Sequence, residues 1–196
     1  MKAIQHEVSD VGFIETFTNK YVPPFDAKPE HICIEDIAHA LSNQCRFSGH
    51  TSRFYSVAEH AWLASYYAPA HLAAAALMHD AAEAYLIDIP RPLKLYVQFF
   101  ISDVRQFSYY QAEESLLKVI GDKYELKLHP QSETVTKLDN ALLVREYLTL
   151  INENLPPGLE GVPPLELTQQ TIVGHLPSVA KSLFLARATE LGIGRK

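Results

Sequence analysis

Two histidines and two aspartates in this sequence have the residue types and the setting of a metal site. His79 and Asp80 are adjacent within an apolar, alanine-rich stretch, His60 precedes them, and Asp139 lies far downstream. Two imidazoles and two carboxylates form a mixed nitrogen–oxygen set that suits a divalent transition metal such as zinc, manganese or cobalt. A metal held in this way can activate water and bind a phosphate oxygen. The four residues are therefore candidate metal ligands, and hydrolysis at phosphorus is the chemistry they indicate.

The candidate ligands fall on three segments with helical periodicity. His60 lies on the apolar stripe of a helix that a proline ends, so its side chain is expected to point inward. His79 lies on the inner face of the next helix, predicted over residues 70–85, which is rich in the strong helix former alanine. Asp139 belongs to a helix over residues 132–152, on a stripe that also contains Val135, Leu138 and Leu142. Three helices would thus bring four ligands together.

The rest of the chain also has mostly helical patterns, so the predicted class is all-α. Further helices are predicted over residues 34–43, 93–100, 103–120 and 178–191, the third of them ending at Gly121. Residues 1–30 contain prolines and aromatic residues and are expected to form an irregular or β-hairpin arm. Residues 154–177, with two proline pairs, are expected to form a surface connection to the last helix. No sheet is expected in the body of the fold, and residues 1–196 are predicted to form a single domain.

Composition limits the classes of protein to which the chain could belong. Of its 196 residues, 47% are hydrophobic and 20% are charged, which is ordinary for a globular protein. The formal net charge of −6 disfavours nucleic-acid polymers as partners, although a few local cations could still bind a small anion. No apolar run is long enough to span a membrane, and the first residues lack the apolar core of a signal peptide. Cys33 and Cys45 form no Cys-x-x-Cys pair, so reduced thiols and a cytoplasmic location are expected.

Each candidate ligand also has a simpler interpretation. A single histidine on an apolar face is usually a packed core residue, and a carboxylate such as Asp139 could be half of an ion pair inside a helix bundle. A shared divalent metal (zinc, manganese, cobalt or magnesium) accounts for two inward histidines and two carboxylates at once. We therefore favour the metal over four separate explanations.

Glu83 and Asp88 are the candidate catalytic acids. Glu83 follows His79 by one helical turn and shares its helix face, so it could orient or deprotonate an attacking water. The alternative is that Glu83 supports a histidine ligand. Asp88 begins a proline-rich loop, where it could steer water or protonate a leaving oxygen, or could simply cap the turn.

Basic residues on both sides of the histidines could meet phosphate oxygens. They are Arg46, Arg53, Arg91 and Lys94. Arginine is well suited to phosphate because its planar fork donates two parallel hydrogen bonds. Arg46 is the strongest candidate of this set.

The ordered series His60, His79-Asp80 and Asp139 resembles the HD-domain metal-dependent phosphohydrolases. The match extends to residues 34–42, Arg46-Phe47, residues 55–60 and residues 79–94. These runs look like the branch that contains the bacterial 5′-deoxynucleotidases and the phage-encoded dATP triphosphohydrolases. The resemblance covers about residues 11–150.

The resemblance implies an HD-domain helical bundle and assigns roles to individual residues. The implied metal ligands are His60, His79, Asp80 and Asp139, and the implied catalytic acids are Glu83 and Asp88. The implied substrate contacts are Arg46 with phosphate or sugar, Lys94 with phosphate, Phe47 with the nucleoside, and Pro92 beside the base. Phe47 stands where tryptophan is frequent in those relatives. Relatives form homo-oligomers, and the aromatic stretch Tyr96–Tyr110 is a candidate contact between subunits.

The expected function is therefore metal-dependent hydrolysis of a (deoxy)nucleotide by attack of water at phosphorus. Release of phosphate from deoxynucleoside monophosphates and removal of triphosphate from dATP or another dNTP are both compatible with the residues. The alternative from another class is a non-catalytic module that keeps the HD fold to bind a metal or a nucleotide. Retention of two spare carboxylates beside the metal ligands argues against that alternative, because a structural metal site tends to be closed.

Overall fold

Helices dominate the structure, and its strands form two small antiparallel hairpins. The computed structural model describes residues 12–102 and 104–194. Strand β1 (Ile14–Glu15) pairs with β2 (Tyr21–Val22), so the predicted N-terminal arm contains a β-hairpin. Asp36 holds this hairpin, because its carboxylate accepts hydrogen bonds from the Thr16 hydroxyl and from the amide and hydroxyl of Thr18. Residues 1–11 of the arm lie outside the described residues.

The first two helices agree with their predicted positions, and the second forms the centre of the fold. Helix α1 spans Ile34–Asn43 and packs against the last helix of the chain. Helix α2 spans Val57–Tyr67 and begins at Ser56, whose hydroxyl accepts a hydrogen bond from the Glu59 amide. Residues 57–65 are buried on every side of α2. Because a helix without a solvent face belongs to a protein interior, its polar side chains need partners within the protein.

The helix predicted over residues 70–85 is interrupted at the two adjacent candidate ligands. A short 3-10 turn at Ala70–Leu72 leads into α3 (Ala73–Met78), and α4 (Glu83–Leu86) follows after a break. In the break, hydrogen bonds run from Ala81 to Met78 and from Glu83 to Asp80, which is the tighter i to i−3 pattern. Such tightened turns inside helices are common at functional sites.

The structure contradicts most of the helix predicted over residues 93–100 and the first part of the helix predicted over residues 103–120, and it confirms the remainder of the second helix. It has α5 (Arg91–Lys94), then strands β3 (Gln98–Ser102) and β4 (Arg105–Ser108), then α6 (Tyr109–Tyr124). Phe99 faces the protein and pairs with Phe107, whereas Phe100 is 75% exposed. This alternation has the period of a strand, so the expectation of no sheet in the body was wrong.

Gly121 was predicted to end helix α6, and that prediction was wrong. The helix continues to Tyr124, and Glu125 then adopts a left-handed conformation. A side chain at residue 121 would lie 2.6 Å from the carbonyl oxygen of Leu126. Glycine is therefore needed there because the chain folds back closely over the helix.

Two long helices complete the fold, and the segment between them has neither helix nor strand. Helix α7 spans Glu133–Leu150 and α8 spans Pro177–Glu190, close to their predicted bounds. The connecting segment, residues 151–176, is anchored on α2 because the Glu59 carboxylate accepts three backbone N–H bonds from residues 173–175. Gly174 packs so tightly that a side chain there would lie 2.6 Å from the Phe54 carbonyl oxygen.

The core consists of two apolar clusters that meet at α2. One contains Ile37, Leu77 and Phe184, and the other contains Tyr55, Leu63 and Leu142. Within the described residues, no helix combines the length and the apolarity that crossing a membrane requires.

Candidate metal centre

The imidazoles of His60 and His79 face each other at the centre of the fold. Helix α2 presents His60, the break after α3 presents His79, and the two Nε2 atoms are 3.2 Å apart. Two nitrogens that are each about 2.1 Å from one ion stand roughly 3.0–3.4 Å apart, at bond angles between those of an octahedron and a tetrahedron. The spacing of the two imidazoles is therefore that of a pair of ligands on one ion.

The other nitrogen of each ring is held by the protein. The Nδ1–H of His60 donates to Glu146 Oε1 at 2.6 Å, and the Nδ1–H of His79 donates to the Ala76 carbonyl at 2.8 Å. When Nδ1 carries the proton, the neutral ring has its lone pair on Nε2. Two lone pairs pointing at one place repel each other unless a positive charge lies between them. The tautomers thus fit a cation at this position.

Two carboxylates complete the cluster. Asp139 Oδ1 lies 3.2 Å from the Nε2 of His60 and 3.7 Å from that of His79, and Asp80 Oδ2 lies 3.6 Å and 3.3 Å from the same atoms. The ligand atoms of His60, His79 and Asp139 all lie within 4.8 Å of one another. These three residues could hold a metal ion, and Asp80 is placed to add a fourth ligand through its Oδ2.

Glu146 belongs to the candidate site through its contact with His60, and the sequence analysis missed it. Its side chain is fully buried on α7 and accepts hydrogen bonds from His60, from the Tyr55 hydroxyl at 2.6 Å and from Arg46 Nε at 3.1 Å. The position follows Asp139 by two helical turns, so it lies on the same face of α7. That spacing was the available signal, and it could have identified Glu146 as a partner of the metal ligands.

Arg46 is an internal cation of this cluster. Its side chain is only 10% exposed, and its NH1 lies 3.6 Å from Asp80 Oδ2 while its Nε is paired with Glu146. A buried arginine with two carboxylate partners orients them as well as balancing their charge. The neighbouring Phe47, half-buried, has its ring 5.6 Å from the Arg46 guanidinium and 6.5 Å from the ring of Tyr147.

The pKa values of the cluster show how strongly its charges depend on one another. Burial raises the pKa of the Asp139 carboxyl, but hydrogen bonds from His60 and His79 outweigh it, so the net pKa is well below the usual value. Burial lowers the pKa of His79, but the charges of Asp80 and Asp139 outweigh it and raise the pKa to about 9. Without a metal, the imidazoles would therefore take up protons to balance the carboxylates. In either state, positive charge is required where the four side chains meet.

Glu83 lies next to this cluster in a second group of buried charges. Its Oε1 accepts a bond from Lys94 Nζ at 2.8 Å, and the same ammonium donates to Glu113 at 3.0 Å. Glu83 Oε2 is buried and has no hydrogen-bond partner within the described part of the chain. Burial and the charge of Asp80 raise the pKa of Glu83 well above its usual value, although Lys94 opposes the shift. An unpaired buried oxygen of this kind is a natural place for a water molecule.

Asp88 is positioned by an unusual backbone. The preceding residue, Ile87, has φ of 66°, which is rare for a β-branched side chain. The Tyr109 hydroxyl donates to the Ile87 carbonyl at 2.7 Å, and the Asp88 amide donates to the side chain of Gln44, whose own amide reaches the Glu83 carbonyl. Such strain persists only where neighbouring contacts impose it, and it often marks functional positions. Burial raises the pKa of Asp88, and Arg46 opposes that shift.

Arg91 and Pro92 lie on α5, and Arg91 contacts the cluster through Asp139. Arg91 donates from NH2 to Asp139 Oδ2 at 2.7 Å and from NH1 to Asn140 Oδ1 at 2.6 Å, while 53% of its side chain remains exposed. Pro92 is exposed on the same short helix. Arg53, another predicted cation, instead donates to the carbonyls of Ile172 and Val173 in the connecting segment.

The structure thus brings the predicted metal ligands together. The cations predicted to contact phosphate have different partners within the protein. The candidate ligand atoms of His60, His79 and Asp139 lie close together, Asp80 lies beside both imidazoles, and Arg46 lies against Asp80. Lys94, which is predicted to contact phosphate, is paired with the buried Glu83 and the partly buried Glu113.

A comparison with known proteins finds a relative that is similar to almost the entire chain. The uncharacterized protein YfdR of Escherichia coli (strain K12) is 38% identical over 189 residues, which are 95% of this chain and 99% of that protein. No family model matches the chain. The similarity therefore applies to the whole fold and not to a single motif.

Proposed function

The chain belongs to the family of the Escherichia coli protein YfdR, and we propose that it is a metal-dependent phosphohydrolase of the HD-domain type that acts on (deoxy)nucleotides. One observation carries the proposal. The Nε2 atoms of two buried imidazoles stand 3.2 Å apart, with carboxylate oxygens of Asp80 and Asp139 beside them and with both Nδ1 atoms already engaged. This arrangement is suited to a divalent ion, and it supports the proposal.

The residues that would hold the ion are His60, His79, Asp80 and Asp139. A divalent ion in this position supplies the Lewis acidity that lowers the pKa of water and polarises a phosphate oxygen. Glu146 fixes the His60 tautomer. Arg46 contacts the Asp80 carboxylate, and Arg91 contacts the Asp139 carboxylate. The protein thus orients every ligand through a second contact, which is common at metal centres that bind tightly.

Glu83 is the proposed general base, and Asp88 is the proposed general acid. The buried Oε2 of Glu83 has no hydrogen-bond partner within the described residues and could accept a proton from the attacking water. Water oxygen bonds to phosphorus, the bond between phosphorus and the nucleoside O5′ breaks, and Asp88 gives a proton to the leaving oxygen. Lys94 then acts on Glu83 by limiting the rise of its pKa.

The charges around the site favour a monophosphate over a triphosphate. Arg46 and Lys94 are already balanced by buried carboxylates, and Arg91 remains as an exposed cation beside the ligands. A triphosphate carries about twice the charge of a monophosphate, and each uncompensated charge near an acidic cluster is costly. We therefore propose 5′-deoxynucleotidase activity, with Phe47 and Pro92 beside the nucleoside, and we treat dNTP triphosphohydrolase activity as the competing outcome.

The decisive experiment measures metal content and product release together. The protein is loaded separately with zinc, manganese, cobalt and magnesium, and each form is incubated with dNMP, NMP and dNTP panels. Release of orthophosphate from dNMPs is expected, whereas release of triphosphate from dATP would indicate the competing activity. Stoichiometric metal with no release from any nucleotide would contradict the proposal and favour a non-catalytic metal or nucleotide-binding module.

Three variants separate metal binding from catalysis. His79→Ala should abolish both metal retention and turnover, because it removes one of the two nitrogens. Glu83→Gln should retain the metal and lose turnover, because the base is outside the ligand set. His129→Ala serves as the control, since His129 contacts Glu114 at the surface and should affect neither property. Equal metal loss in the His79 and Glu83 variants would show that Glu83 has been assigned wrongly.

A further inference from the structure

Arg91 differs from the other cations of the site in having unused hydrogen-bond donors that face solvent. Its guanidinium has five N–H groups, and the contacts with Asp139 and Asn140 use one on NH2 and one on NH1. One N–H on each of these nitrogens and the Nε–H remain. The side chain is 53% exposed, compared with 10% for Arg46 and 11% for Lys94.

The position of Arg91 is fixed by its backbone and by its carboxylate partner. It lies between Pro90 and Pro92, whose rings restrict the backbone at the start of α5. Its partner Asp139 directs Oδ2 to Arg91 and Oδ1 to the two imidazoles. Because that carboxylate also serves the candidate metal, it neutralises the guanidinium only in part. Arg91 therefore presents positive charge and free donors directly beside the metal ligands.

We propose that Arg91 is a substrate-binding residue that donates hydrogen bonds to the phosphate of the bound ligand while it holds Asp139 and Asn140. The planar fork suits this double task, because one edge can hold the protein while the remaining donors meet a tetrahedral oxyanion. The inference rests on the proposed function in that the ligand is a phosphate compound. It assigns to Arg91 the phosphate contact for which Arg46 and Lys94, held by buried carboxylates, are poorly placed.

The test measures binding of inorganic phosphate to the metal-saturated full chain by calorimetry. Arg91→Ala should weaken phosphate binding by about 10- to 100-fold, the usual range for hydrogen bonds to a charged group. Arg91→Lys, which restores a point charge, should recover part of the affinity, and Arg91→Gln should not. Arg105→Ala is a matched control, since Arg105 is likewise a partly exposed arginine (41%) that contacts a carboxylate, that of Asp26.

Metal affinity is measured by chelator competition for each variant, so that phosphate binding is compared at equal metal occupancy. If Arg91→Ala binds phosphate as tightly as the unmodified protein at that occupancy, Arg91 acts only through Asp139 and the inference is wrong. Failure of the unmodified, metal-saturated protein to bind phosphate would also overturn it.

Nucleotide turnover distinguishes this inference from the proposed function. Where turnover occurs, Arg91→Ala should raise KM by a factor similar to its loss of phosphate affinity, with a smaller change in kcat. Phosphate binding that depends on Arg91, without turnover of any nucleotide, would retain the inference and refute the proposed function. Turnover with an unchanged KM in Arg91→Ala would retain the function and refute the inference.

Discussion

Replacing Glu146 by glutamine should reduce both the stability of the fold and its affinity for metal. The carboxylate is fully buried and accepts hydrogen bonds from His60, Tyr55 and Arg46. An amide keeps the shape of the side chain but brings an N–H group towards one of these three donors. It also leaves the buried Arg46 guanidinium without its closest counter-ion.

The expected magnitude follows from these contacts. Breaking a buried ion pair by removing one partner costs roughly 3–5 kcal/mol. For a chain of 196 residues, about 1 kcal/mol corresponds to roughly 2–4 °C, so Tm should fall by about 6–20 °C. Loss of the contact that orients a histidine ligand should weaken metal binding by about 10- to 100-fold.

The assay combines thermal unfolding, followed by circular dichroism, with chelator competition for the metal. Glu59→Gln is the control, because Glu59 is equally buried but accepts its bonds from the backbone of residues 173–175. It should lower Tm and leave metal affinity unchanged. An unchanged metal affinity in Glu146→Gln would refute the assigned role, and so would an equal loss in both variants.

Two further predictions follow from the buried charges. Burial lowers the pKa of His79, but Asp80 and Asp139 outweigh it and raise the pKa to about 9, above the ordinary 6.5. The protonated imidazole therefore stabilises the metal-free protein below pH 6.5, and this contribution is lost as the pH rises through about 9. Thermal unfolding across this range should show a falling Tm for metal-free protein and no such fall for metal-loaded protein, and parallel curves would contradict the prediction. Lys94→Met should raise the pKa of Glu83 further, so the acidic limb of the pH–rate profile should move to higher pH; an unmoved limb would exclude Glu83 as the base.

The sequence predicts the long helices well because their apolar spacing is regular. Helix α1 has the predicted bounds, and α7 and α8 begin and end within two residues of them. The β3–β4 hairpin was missed because apolar residues occur at consecutive positions, as in Phe99-Phe100-Ile101, and this run hides the strand period. Only the pairing of Phe99 with Phe107 reveals which residues face inward.

The candidate site could also be predicted from the sequence only in part. Residue chemistry alone selected the candidate metal ligands, because the carboxylate of an aspartate on an apolar stripe needs a cation or hydrogen-bond donors. Glu146 lies on the same face of α7, yet a glutamate inside a helix is usually solvated, so its sequence context gave little reason to select it. Its partner Arg46 is 100 residues away in the chain, and that contact exists only after folding. The engagement of Lys94 by two carboxylates depends likewise on tertiary packing.

Gly174 lies far from the candidate metal ligands in the sequence, but its packing affects the backbone that leads to them. A side chain at this residue would collide with the carbonyl oxygen of Phe54, which directly precedes the Tyr55 that contacts Glu146. Substitutions at this glycine would therefore displace the polypeptide that enters α2 and disturb metal binding from a distance. If a mutational scan shows that Gly174 cannot be replaced, the reason would be displacement of the backbone. Such a result would not show that Gly174 contacts the metal.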